Sequence, residues 1–179
     1  MNLAQARDIV ISAHESAHAV ASVRLNRPFD YVTLDDDVLG PHVYGTDNAP
    51  RPIPFYDGGG ACCGGDQPIC DNCGAELQRA ESCIIIAVCG TLGVLATGCK
   101  DFGYGHEADK TYAVEFCKVA FGDQTDVQIS ARLKDLSDRA FELMRPESKT
   151  VSAVGRALRE QRRLTEHQVR DIVQTESCA

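Results

Sequence analysis

Apolar residues recur at helical spacing from the start of the chain. Leu3, Ala6, Ile9, Val10, Ala13, Ala17, Val20 and Ala21 follow that spacing, and no Pro or Gly interrupts residues 3–25, which predicts a long first helix. Residues 29–34 then read as a short strand, and residues 40–46 could be its partner across the acidic turn Asp35-Asp36-Asp37. Residues 47–74 are crowded with Pro, Gly, Asp and Cys and predict an irregular loop. Helical periodicity resumes at Ala75 and carries to about Thr97, a glycine-rich turn covers 98–105, and a helix follows over 107–121. Asp123 or Thr125 can cap the next helix, whose expected core face is Val127, Leu133, Leu136, Ala140, Phe141 and Met144. Pro146 breaks the chain and 150–163 is helical again. Thr165-Glu166-His167-Gln168 has capping-box spacing and opens a last helix through Val173. The expected class is mainly α with a small β-hairpin or short sheet, in one domain without repeats or linkers.

Composition narrows the function classes. A chain of 179 residues can bury a core without staples, and its 44% apolar and 25% charged content is ordinary for a globular domain. The net charge of −8 argues against nucleic acid or an anionic membrane as the main partner. Residues 83–99 carry no charge, but Gly90, Gly93 and Gly98 with Thr91 and Thr97 suit a buried central helix better than a membrane span. Residues 2–7 are polar and do not resemble a signal peptide. Together with nine cysteines, an odd number, this predicts reduced thiols and a cytoplasmic location.

The candidate chemistry lies inside the first helix, in His14-Glu15-Ser16-Ala17-His18. Residues four apart share a helix face, so His14 and His18 can aim imidazole nitrogens at one ion about 2.0–2.1 Å away. Glu15, about 100° around the same turn, can reach a water there as general base without taking the metal. A catalytic zinc usually needs a third protein ligand, and no Asp, Glu or His between residues 19 and 28 supplies the close continuation of the metzincins. Asp109 is the candidate, because it shares a face with Tyr112, Ala113, Phe116 and Ala120 and a carboxylate in an apolar stripe is costly unless paired or metal-bound. Its plainer reading is an aspartate in the first turn of a helix, facing the dipole. His106, Glu107 and Asp101 are reserves at the same junction.

Other residues leave alternatives open. Cys62, Cys63, Cys70 and Cys73 could close a second, structural zinc site, although neighbouring side chains diverge; a Cys70–Cys73 redox pair or no special role are the rivals. His42, on the expected partner strand, either touches substrate or is an exposed strand residue. His167 belongs to a capping box, and Arg159, Arg162 and Arg163 read as a solvated helix end.

With these residues assembled, the chain resembles the peptidase domain of the FtsH-type AAA+ zinc metalloproteases. The segment from His14 through Val20 looks like that family's signature helix, residues 29–34 like its following strand, and residues 39–46, ending Tyr44-Gly45-Thr46, like its substrate-edge strand. The helix around Gly90 is similar to a glycine-bearing central helix, and residues 105–109 to the segment that supplies an aspartate ligand. The resemblance implies a helical zincin-type fold, zinc on His14, His18 and Asp109, Glu15 as base, and a substrate strand at His42, Val43 and Tyr44. It also implies a polypeptide substrate, with a separate ATPase or adaptor as a conceivable partner. The chain departs from the family in several places. No phosphate loop or membrane anchor is evident, Ala17 stands where the family usually has Gly, residues 91–94 replace an Arg and a Glu, and the Cys-rich loop is an insertion. The expectation is an ATP-independent zinc endopeptidase; the alternative is an inactive, zinc-stabilised interaction module derived from one.

Overall fold

Six helices and three short strands follow one another as α1 (Leu3–Arg24), β1 (Tyr31–Thr33), β2 (Ala61–Cys63), α2 (Gly74–Ala96), α3 (His106–Ala120), α4 (Asp126–Met144), α5 (Ser148–Gln161), β3 (Arg163–Thr165) and α6 (Glu166–Ser177). They belong to a computed structural model that describes residues 3–34, 61–63, 74–98, 106–122 and 124–178. The mainly helical class with a small sheet is as expected from the apolar periodicity.

α1 is the central element. It packs against α2, α5 and α6, with β1, β2 and α4 also touching it, so every residue from Val10 to Ser22 is buried. The stretch from Val10 to Ser22, with both histidines in it, is therefore enclosed on all sides. Its buried Ser12 and Ser22 back-bond to the Ile9 and His18 carbonyls, while Ser16 Oγ has no partner among the described residues. α1 ends where Asn26 takes a left-handed φ of 53° and Arg27 N–H donates to Ser22 O at 2.7 Å, the six-to-one closure that asparagine tolerates better than most residues.

The sheet differs from expectation. Its order is β2-β1-β3, antiparallel throughout. Val32 pairs with Cys62 on one side and Leu164 on the other. Both edges of β1 are thus taken, so the expected pairing with residues 40–46 is displaced; those residues lie outside the described ones. Ala61–Cys63, expected in an irregular loop, is a ladder strand. Arg163, the first residue of β3, was expected at a helix end. Instead α5 stops at Gln161, because Arg162 turns left-handed at φ 64° and its N–H caps Leu158 O. The Arg162 carbonyl then accepts from Leu34 N–H and Thr33 Oγ1, which offsets the roughly 1 kcal/mol cost of that conformation.

Local sequence rules set the last helices. Thr125 and Thr165 each accept from the backbone N–H of Gln128 and Gln168, whose side chains accept from the Thr N–H in return, two complete capping boxes. The core face of α4 is Ile129, Leu133, Leu136, Ala140 and Met144. Val127 and Phe141, expected inside, are 80% and 52% exposed, because they fall off the stripe that Ile129 defines. α2 connects to α4 through Glu81, which receives Arg132 and Arg139.

A buried carboxylate fastens the far end of α1. Arg24 donates from Nε and Nη2 to the two oxygens of Glu147 at 2.8 and 3.1 Å, and also from Nη2 to Ser177 Oγ at 2.9 Å. One fork thereby joins α1, the start of α5 and the end of α6. Replacing Glu147 with Gln is expected to lower stability by about 2 kcal/mol, because charge-assisted bidentate bonds at a buried group are lost. Denaturant unfolding of the variant beside wild type measures this, and an unchanged midpoint would refute it.

Candidate metal centre

His14 and His18 lie one turn apart on α1, and Asp109 sits in the first turn of α3. Burial of α1 between α2 and α5 fixes which way its polar side chains turn. His14 Nε2 and His18 Nε2 are 3.1 Å apart, and Asp109 Oδ2 lies 2.9 Å from the first and 3.2 Å from the second. The three donor atoms form a nearly equilateral triangle at the edge lengths expected around one small cation: tetrahedral ligands on bonds of about 2.0–2.1 Å stand about 3.3 Å from each other. The cluster His14, His18 and Asp109 can hold a metal ion, and it is the one group of its kind among the described residues.

The surroundings fit that use. His18 Nδ1 is 2.8 Å from the backbone carbonyl of Ile86 on α2. Donation from Nδ1–H to that oxygen leaves the Nε2 lone pair facing His14 and Asp109, the orientation that metal-bound imidazoles usually receive from a second partner. The two rings meet edge to face, 4.7 Å between centroids. Asp109 Oδ2 is buried and receives no hydrogen bond in ordinary geometry from a described residue, so its closest companions are the two imidazole nitrogens. Buried acceptors rarely go without a donor, and either a proton on an imidazole or an ion at the cluster would satisfy this carboxylate. α2 comes so close that an ideal Cβ on Gly90 would lie 2.5 Å from His18 Nε2 and 2.7 Å from His14 Nε2. Glu15 is 7% exposed and its charge is felt at His18.

Electrostatics in the metal-free chain follow from this crowding. Burial works against a charge on His18, yet the carboxylate of Asp109 outweighs it, with help from Glu15 and the Ile86 carbonyl, and raises the imidazole to about 9. Burial likewise opposes ionisation of Asp109, but His18 and His14 hold its carboxyl well below the usual carboxylate range. A proton on His18 thus takes the place of a cation. Cys89, next to Gly90 on α2, is pushed up to about 12 by burial and by Asp109; the donor atoms that converge are those of His14, His18 and Asp109.

The structure therefore brings together His14, His18 and Asp109, with Glu15 on the same turn. Expected residues elsewhere fare differently. His42, Val43, Tyr44, Cys70, Cys73 and Asp101 lie outside the described residues, as do the side chains of Cys62, Cys63, His106 and Glu107. His167 is exposed beside Asp171. The basic run is not a merely solvated helix end: Arg159 donates to Ser12 Oγ, Arg162 to Leu34 O and Asp8, and Arg163 lies over the Tyr31 ring. Sequence reasoning missed the Ile86 carbonyl, which no side-chain pattern can signal. An open groove of about 340 Å³ between α5 and α6, lined partly by Arg156, Glu160 and Ile172, contains none of the expected site residues. No helix among the described residues is long and apolar enough to cross a membrane. No protein-family model matches this chain, and neither does any curated protein.

Proposed function

We propose that this chain is a zinc-dependent endopeptidase of the FtsH-type peptidase class, acting on unfolded or short polypeptides without ATP. The observation that carries the reading is the convergence of His14 Nε2, His18 Nε2 and Asp109 Oδ2 within 3.2 Å of one another, with a buried carboxylate at Glu15. Two imidazoles and a carboxylate are a donor set suited to zinc with one position left open, whereas structural zinc sites are usually closed by four protein ligands. When bound there, zinc supplies Lewis acidity that polarises a carbonyl and acidifies water.

The chain's own residues carry the proton. Glu15 accepts it from the attacking water at its carboxylate and delivers it to the nitrogen of the leaving amine. Burial of Glu15 in the helix that also carries His14 and His18 keeps that carboxylate in place. The Ile86 carbonyl fixes the His18 ring, so the donors need little reorganisation during the reaction. An extended polypeptide would be held by main-chain pairing, a mode that makes few sequence demands; His42, Val43 and Tyr44, the residues proposed for it from the sequence, lie outside the described ones. Folded substrates would first have to be unfolded, and an ATPase or adaptor is the kind of partner proposed for that step. The free thiols Cys83, Cys89, Cys117 and Cys178 fit a reducing, cytoplasmic setting.

The test is metal removal. The purified chain is expected to bind zinc at the His14, His18 and Asp109 cluster and to cleave an unstructured fluorogenic polypeptide. A chelator should abolish cleavage and added zinc should restore it. Zinc binding with no cleavage would favour the interaction module; no zinc binding at all would end the proposal.

A further inference from the structure

We infer that Gly90 is a positioning residue for the metal centre: its bare Cα lets the α2 backbone lie against both histidine ligands, and a side chain there would drive the imidazoles off the ion. The inference rests on the metal reading of His14, His18 and Asp109. An ideal Cβ at residue 90 would lie 2.5 Å from His18 Nε2, 2.6 Å from His14 Cε1 and 2.7 Å from His14 Nε2. Two of those three atoms are the nitrogens that would hold the metal. Ordinary Cβ contacts begin at 3.4 Å, so the rings would have to retreat by roughly 0.7–0.9 Å. Functional constellations tolerate displacements of only about 0.5 Å.

Moving the helix instead of the rings gives no relief. α2 orients His18 through the 2.8 Å contact between Ile86 O and Nδ1, and a retreat of α2 stretches that bond and frees the ring. Three residues further on, Gly93 seats α2 against Ala17, where an added Cβ would fall 2.1 Å from that of Ala17. This second approach is packing between helices and touches no ligand. Glycine inside a helix is unfavourable relative to alanine, so its presence at residue 90 needs a local reason, and the histidine rings supply one.

Gly90→Ala in the full chain separates the possibilities. Its zinc dissociation constant is expected to rise by about 10- to 100-fold, the range for lost ligand support, and its cobalt-loaded form should lose the wild-type absorption bands. A second readout needs no metal. Gly90→Ala should lower the thermal midpoint of the metal-free chain, yet raise it by about 2–4 °C in a His14→Ala/His18→Ala/Asp109→Asn background, where no carboxylate is left buried without its imidazoles and alanine is simply the better helix former. If Gly90→Ala does not fold, recovery of folding in that ringless background supports the inference, and continued failure overturns it. Wild-type zinc affinity in Gly90→Ala, or an equal loss of midpoint in both backgrounds, also overturns it. Failure of the wild-type chain itself to bind zinc would instead overturn the metal reading, an outcome distinct from a loss confined to the variant.

Discussion

Replacing Glu15 with Gln is expected to slow hydrolysis of an unstructured polypeptide by roughly 10²–10⁴-fold, the usual contribution of a positioned general base. Bound zinc should remain at the wild-type level. The two side chains have the same shape, so the variant keeps the packing of a residue that is 7% exposed; it loses the capacity to take up a proton and the negative charge that is felt at His18. The ligand set His14, His18 and Asp109 does not include residue 15, which is why metal content and rate should separate. Parallel assays of bound zinc and of initial rate on the same preparation check this. A Glu15→Gln protein that cleaved at the wild-type rate would remove the general base from the mechanism. Loss of zinc together with rate would assign Glu15 a structural part instead.

The grouping of His14, His18 and Asp109 was legible in the sequence because its signals are local or chemically costly. A pair of histidines four apart needs only helical geometry, and α1 supplies it from Leu3 to Arg24. Asp109 could be picked out across a long sequence gap because a carboxylate amid Tyr112, Ala113 and Phe116 has to be compensated, and the imidazoles compensate it. The sheet was not legible for the opposite reasons. Each strand is three residues long, too short for an alternating pattern, and β1 finds its partners across distant sequence. The stop of α5 at Arg162 carries no glycine to announce its left-handed turn. Val127 and Phe141 were misplaced because one-dimensional periodicity admits two neighbouring stripes on α4, and packing against α2 and α3 selects the one through Ile129 and Leu136. Gly90 was visible as a glycine in an apolar helix, but its use depends on where α1 crosses α2.

Asp109→Asn should weaken zinc binding more than 100-fold, since it removes an anionic ligand rather than a supporting contact. It should also change how the metal-free protein responds to pH. His18 has a folded-state value of about 9, raised from 6.5 against burial chiefly by Asp109. A group raised on folding stabilises the fold fully below its unfolded value and loses that contribution as pH rises through the folded one. Asp109 is shifted the other way, so protonating its carboxylate in acid removes the same interaction from the other side. The metal-free wild type should therefore lose stability between about pH 6.5 and pH 9, by about 3 kcal/mol at most, because a pKa unit is worth about 1.4 kcal/mol and the two partners share a single interaction. Asp109→Asn removes the carboxylate that favours the imidazolium; the variant should be less stable than wild type below pH 6.5, with the two curves converging toward pH 9. Zinc at this cluster would replace the His18 proton, so binding should release protons and saturating zinc should abolish the alkaline loss of stability. Denaturant midpoints across this range, with and without zinc, measure both effects. A flat profile for the metal-free wild type would deny the His18–Asp109 charge pair, and unchanged zinc affinity in Asp109→Asn would remove the third ligand from the centre.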